Sequence, residues 1–317
     1  MEMITFADVK ISTPALSGIQ STIGGTPLLP LARLSEKIPP EVQVLAKAEW
    51  FNPGGSVKDR PALNIVRSAI SDGSLTPDKR LLDSTSGNMG ISYATLGAAM
   101  GVGVTLVMPS NASPERIAIL RALGAELILS DPLEGSDGAI HTARVLAAGN
   151  PNLYFYANQY DNPANWLSHY NSTGPEILDG TSGEITHFVA GMGTSGTITG
   201  VTRYLRQQKP SVQTIAVQPD SSLHGLEGLK HMASTINPAI YDSGLPDDTL
   251  EISTEAAHEM VRKLAQKEGL FVGVSSGAAA AAALQIAQGL ERGVVVTVFP
   301  DAGYKYLSDK ALWQIEN

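Results

Sequence analysis

The chain has 317 residues, 43% of them hydrophobic and 17% charged, with 31 Gly and 19 Pro; this is the make-up of a folded globular protein of about two domains, and it excludes disordered, collagen-like and coiled-coil chains. Lys and Arg number 22 against 31 Asp and Glu, a formal net charge of −9, so polyanions are repelled and neither nucleic acid nor a membrane is an expected partner. The absence of cysteine removes disulfides, zinc–thiolate sites and thiol nucleophiles together.

Met1 to Asp8 combine neither a basic start nor an apolar stretch of secretory length, which sets the expectation of a cytoplasmic protein. Residues 42–46 read as a strand, and 63–66 fall inside a helix that stops near Gly73. A short strand at 81–83 is followed by a helix at 91–100 ending at Gly101, a glycine placed for a left-handed cap. The apolar run 102–108 reads as a strand. Ser113-Pro114-Glu115 then supplies a cap, a first-turn proline and a first-turn acid for a helix that stops at Gly124. Strands follow at 126–129, 185–190, 214–217 and 294–299, with helices at 197–207, 254–269 and 277–289. The alanine run 278–283 suits a tightly packed helix.

Short Val/Ile/Leu runs separated by single helices predict an α/β protein with two open, twisted, mainly parallel sheets covered by helices on both faces. Two blocks, about 46–160 and 161–317, meet at the polar stretch 158–165, which suits a hinge or cleft wall. In such folds ligands bind at the carboxyl ends of strands. Three loops there have unusual compositions.

The first is Asn52-Pro53-Gly54-Gly55-Ser56-Val57-Lys58-Asp59-Arg60. It lacks the spacing of a nucleotide-binding P-loop. With Ser56 as cap, Lys58 falls in the first helical turn, where the positive end of the dipole favours a neutral amine able to attack a carbonyl. An exposed lysine beside a cap is the alternative.

The second loop, Ser84-Thr85-Ser86-Gly87-Asn88-Met89-Gly90, opens a helix. Hydroxyls, an amide and helix-start N–H groups together suit a carboxylate.

The third, Gly191-Met192-Gly193-Thr194-Ser195-Gly196-Thr197, matches the spacing of a dinucleotide fingerprint. Its interleaved hydroxyls instead suit a terminal phosphate, and the acid expected after the next strand is replaced by Gln218-Pro219. A tight turn without a ligand is the remaining reading.

Taken together, the loops resemble the fold-type II pyridoxal-phosphate enzymes, related to the tryptophan synthase β fold, and within them the cysteine synthase (O-acetylserine sulfhydrylase) family. The B-type isozyme is the most similar. Further matches in order are Ile23-Gly24-Gly25-Thr26-Pro27-Leu28, Thr173-Gly174-Pro175-Glu176-Ile177, Gly273-Val274-Ser275-Ser276-Gly277-Ala278 and Asp301-Ala302-Gly303-Tyr304-Lys305-Tyr306-Leu307-Ser308.

The resemblance implies pyridoxal 5′-phosphate bound through Lys58, which then serves as general acid and base. It places the cofactor phosphate on Gly193, Thr194, Ser195, Gly196 and Thr197, the ring hydroxyl on Asn88 and the pyridine nitrogen on Ser275. Thr85, Ser86 and Gln159 would hold the substrate carboxylate, with Met89 lining the same loop.

The implied reaction is β-replacement of O-acetyl-L-serine through an aminoacrylate to give L-cysteine and acetate. The sulfur donor would be sulfide, thiosulfate or a protein thiocarboxylate. Residues 46–160 would form a smaller, mobile domain closing over the substrate, and 1–45 with 161–317 a larger one holding the phosphate. A homodimer is implied, with serine acetyltransferase or a sulfur-carrier protein as partner.

Met89 stands where the family has threonine, and it removes a hydroxyl from the carboxylate loop. Asp220 stands near the position of an arginine in O-phosphoserine-dependent members, and its charge would repel a phosphate. The alternatives are a serine/threonine dehydratase, an O-phosphoserine-dependent sulfhydrylase and a non-catalytic partner-binding homologue. None of the six histidines has metal-site spacing. Lys305 and Lys310 are expected in solvent.

Overall fold

A computed structural model describes residues 16–85 and 87–313. Among the described residues ten strands form two sheets: β1 (Leu28–Pro30), β2 (Val42–Ala48), β3 (Arg80–Ser84), β4 (Val104–Pro109), β5 (Glu126–Ser130), β6 (Tyr154–Tyr156), β7 (His187–Gly191), β8 (Gln213–Pro219), β9 (Asp248–Ile252) and β10 (Gly293–Phe299). The larger sheet has the order β1-β2-β10-β7-β8-β9 and the smaller β5-β4-β3-β6. Every pairing is parallel except β1 with β2. β2 pairs with β10 along its whole length, so residues 46–48 belong to the larger sheet.

The helices are α1 (Asp59–Ser71), α2 (Asn88–Met100), α3 (Pro114–Ala122), α4 (Gly135–Gly149), α5 (Ala164–Ser168), α6 (Gly174–Gly180), α7 (Gly196–Gln208), α8 (Thr254–Lys263), α9 (Val274–Gln288) and α10 (Lys310–Trp313). Covered on both faces, the inner strands are mostly buried, and all six residues of β4 are, the reason its sequence shows no alternation.

Two cap expectations hold. Gly101 closes α2 at φ 71°, and the Ser113 hydroxyl accepts the Arg116 N–H at the start of α3. The alanine run lies in α9, which packs closely enough on α8 that a Cβ on Gly277 would stand 2.3 Å from the Ala257 carbonyl oxygen.

One stretch departs from the sequence expectation: the residues read as a hinge enter a helical run, in which α5 continues through a π-turn at His169–Thr173 into α6. The helix expected at 254–269 is present, a π-turn at Leu264–Glu268 carrying α8 up to the left-handed Gly269. No helix among the described residues is long and apolar enough to cross a membrane.

Candidate active site

In the smaller sheet the chain runs outward from β3 through β4 to β5, then returns to the other side of β3 with β6. The loops after β3 and β6 therefore diverge and leave a crevice between them. The larger sheet repeats this between β7 and β10. The two crevices open onto one cavity of about 510 Å³, lined by Lys58, Asn88, the 193–197 turn and Ser275. Thr85, Met89 and Gln159 also line it. Ser86 lies outside the described residues.

Lys58 stands at the N-cap of α1 rather than in its first turn, and its backbone N–H donates to the Ser56 hydroxyl at 3.3 Å. Burial pulls its amine below the ordinary lysine range, with the charges of Asp301 and Glu49 opposing. Desolvation thus favours the neutral form against both carboxylates.

The loop carrying Lys58 is fastened from beneath. Arg60 spans the Glu49 carboxylate, with Nε 2.7 Å from Oε2 and Nη2 2.8 Å from Oε1, and also binds Glu176 at 2.7 Å. Lys47 reaches Glu176 at 2.7 Å as well, and Glu49 receives Asn52 Nδ2 at 2.8 Å. Burial would raise the Glu176 carboxyl, but Arg60 and Lys47 hold it down at about 2.

In the second loop, the Thr85 hydroxyl oxygen accepts the N–H groups of Gly87 (2.9 Å) and Gly90 (3.1 Å). It is thus partly consumed in shaping the turn. Gln159 Nε2 donates to the Ser84 carbonyl at 2.7 Å, and the Gln159 N–H reaches Asp83 at 3.2 Å, tying together the two loops that flank the small-sheet crevice. Burial lifts the Asp83 carboxyl to about 7. Met89 packs into the core beside the cavity, at 2% exposure.

The third loop places Ser195 at φ 67° as the N-cap of α7, a left-handed conformation that costs a non-glycine residue about 1–3 kcal/mol. Its Oγ is buried with no hydrogen-bond partner among the described residues. A Cβ on Gly193 would stand 2.3 Å from the Gly228 carbonyl, and one on Gly196 2.0 Å from Asn165 Oδ1. Asn165 Nδ2 binds Thr194 Oγ1 (3.1 Å) and the Gln159 carbonyl (2.7 Å), so this turn and the loop after β6 share one brace.

The family model described as pyridoxal-phosphate dependent enzyme matches residues 19–301. The chain belongs to this family. It is 52% identical over 295 residues to a cysteine synthase of Aquifex aeolicus, covering 92% of this chain and 90% of that protein. It is 42% identical over 294 residues to cysteine synthase B of Escherichia coli, covering 92% and 95%. Its structure is similar to that of O-acetyl serine sulfhydrylase isoform 3 from Entamoeba histolytica, with TM-score 0.89 and 37% identity, covering 100% and 96%.

The residues present fit the cofactor of the pyridoxal-phosphate dependent family. A phosphate needs several donors at close approach, and the 193–197 turn offers an unsatisfied buried hydroxyl, helix-start amides and backbone that no Cβ keeps at a distance. The aldehyde needs an amine on the same cavity, and Lys58 lines it with its amine pulled below the ordinary lysine range by burial.

Four residues beside the site were not anticipated. Arg116, buried, lines the cavity, forms a very short ion pair with Glu227 and lies over the Tyr306 ring. It approaches the substrate loop where Gly87 has no side chain to block it. His169 sits behind the phosphate turn, 3.4 Å from Thr197 Oγ1, and burial with the field of Arg60 drops it to about 3, so it is neutral.

Asp301 and Lys305 lie just past β10 and are buried at 0% and 1% exposure, which corrects the expectation that Lys305 is solvated. Asp220, expected to meet the substrate, is exposed and does not line the cavity. Two signals were available for them: 300–305 follow a strand at a sheet's switch point, and 301–308 match the family.

Proposed function

We propose that the chain is a cysteine synthase. It exchanges the acetoxy group of O-acetyl-L-serine for sulfur and releases L-cysteine and acetate. The observation that carries this reading is the meeting, on one cavity, of the desolvated Lys58 amine, the phosphate-type turn at 193–197 and the Thr85–Gln159 loop pair. The names of the relatives support it.

Pyridoxal 5′-phosphate, when bound, supplies an aldehyde for amines and a ring that withdraws electrons from Cα. The 193–197 segment holds its phosphate, Asn88 its ring hydroxyl and Ser275, in the first turn of α9, its ring nitrogen. A serine there presents a neutral hydroxyl, which moderates the electron withdrawal and suits β-chemistry.

Thr85, Ser86 and Gln159 bind the substrate carboxylate and so fix Cα beside Lys58. The neutral Lys58 amine removes the Cα proton, acetate leaves from Cβ, a sulfur nucleophile adds there, and Lys58 returns the proton to Cα. Closure of the smaller sheet and its helices over the cavity excludes water meanwhile. The protein works in the cytoplasm as a homodimer, with serine acetyltransferase or a sulfur carrier as its partner.

Arg116 favours an O-phosphoserine reading, because it puts a cation on the cavity. Its charge is already matched by Glu227, so the neutral acetyl ester remains the better fit.

The test is turnover of O-acetylserine with sulfide by the purified protein loaded with cofactor. Cysteine should form, and Lys58→Ala should form none. Pyruvate from serine in excess of cysteine would mark a dehydratase, and a phosphoserine rate above the acetylserine rate would overturn the choice of ester.

A further inference from the structure

Asn88 sits between two opposite charges supplied by the same distant turn. Its Nδ2 donates to Asp301 Oδ2 at 2.7 Å, and its Oδ1 accepts from Lys305 Nζ at 2.8 Å. Lys305 also donates to the carbonyls of Gly54 (3.2 Å) and Gly55 (3.0 Å), so three acceptors meet the three hydrogens of its ammonium. Asp301 Oδ2 takes a second donor, the Tyr306 hydroxyl, at 2.9 Å. Asp301 Oδ1 is buried with no hydrogen-bond partner among the described residues.

An ammonium only donates and a carboxylate only accepts. The two ends of the amide are therefore not interchangeable here. Turned over, the amide would set N–H against ammonium and carbonyl oxygen against carboxylate, replacing two charge-assisted bonds by two repulsions. Chemistry thus fixes an orientation that atomic positions alone leave open.

We propose that Asp301 and Lys305 are positioning residues that lock the Asn88 amide so that its second N–H, a donor, meets the cofactor's ring oxygen. An amide free to turn would offer that oxygen a carbonyl part of the time, and two acceptors repel. The lock therefore favours the anionic ring oxygen and tighter cofactor binding. Through the Gly54 and Gly55 carbonyls, Lys305 sets the Lys58 loop from the same atom, so amine and ring partner are held in one frame. This rests on the reading that Asn88 meets the ring hydroxyl.

The test titrates pyridoxal 5′-phosphate into wild-type protein, Lys305→Met and Lys305→Arg, following the bound cofactor's absorption spectrum, with thermal unfolding as the check on folding. Losing one charged partner should raise the dissociation constant about tenfold and move absorption from the visible band toward the near ultraviolet. Lys305→Arg, which keeps a donor, should retain the wild-type band.

A folded Lys305→Met with wild-type affinity and spectrum overturns the proposal, because a role confined to stability would lower the melting temperature and leave the band in place. If Lys305→Met does not fold, Asp301→Asn is judged on the same two readouts: a weaker constant with a shifted band upholds the lock, and unchanged values overturn it. Wild-type protein that binds cofactor but does not turn over O-acetylserine refutes the cysteine synthase reading and leaves this test standing. Wild-type protein that takes up no cofactor overturns both.

Discussion

The close approach of backbone at the phosphate turn gives the sharpest prediction. Gly193→Ala places a Cβ 2.3 Å from the Gly228 carbonyl oxygen, so the two segments must part by roughly 1.1 Å to reach an ordinary contact. The obstacle is main chain, which cannot swing aside as a side chain would. Overpacking of this kind costs about 1–3 kcal/mol. Borne by the turn proposed to cradle the phosphate, that is about a 5- to 150-fold rise in the cofactor's dissociation constant.

Titration of cofactor into the apo protein, read by visible absorbance, measures it. Gly149→Ala is the control: at the end of α4 its Cβ meets nothing within 4 Å, so affinity should stay unchanged and stability should rise slightly. Wild-type affinity in Gly193→Ala would refute the assignment of this turn to the phosphate.

Arg60→Met leaves the fully buried Glu49 carboxylate without its guanidinium and should cost about 3–5 kcal/mol in urea unfolding; adding Glu49→Gln should recover part of it, and a loss below about 1 kcal/mol would contradict the fastening role. Asp83 titrates at about 7 when folded against 3.8 for the free group. Between these values the folded state holds a proton that the unfolded state lacks, so stability falls as pH rises. The stability of Asp83→Asn relative to wild type should therefore improve by about 2 kcal/mol from about pH 5 to pH 7, and a flat difference across that range would show that Asp83 is ionised throughout.

The three loops that line the cavity were legible because glycine, hydroxyl and amide residues interrupt apolar strands at their carboxyl ends, where a parallel sheet opens. Local chemistry carried that signal. It failed where packing between distant segments decides the outcome. The stretch 158–165 reads as a polar hinge, yet its end opens a helical run over 164–180 pressed on α7: a Cβ on Gly200 would lie 2.2 Å from the Trp166 carbonyl oxygen, and one on Gly174 2.8 Å from the Tyr204 ring. Small residues there serve close helix contact, and no window of sequence reveals the partner.

Lys305 was misplaced for a related reason. A lysine near a chain end reads as solvated unless its acceptors are known, and those acceptors, Gly54, Gly55 and Asn88, lie more than two hundred residues away. Lys58 was identified by its surroundings, but the burial that chiefly lowers its basicity arises only when both sheets meet.

Lys58 lines the cavity, and the buried Lys305 is hydrogen-bonded to Asn88, which lines it too; covalent chemistry is assigned to Lys58 alone. Protein incubated with pyridoxal 5′-phosphate, treated with borohydride to fix any lysine–cofactor bond and mapped by peptide mass spectrometry should carry the label on the peptide containing Lys58. Label on Lys305 instead, or on neither, would contradict the account.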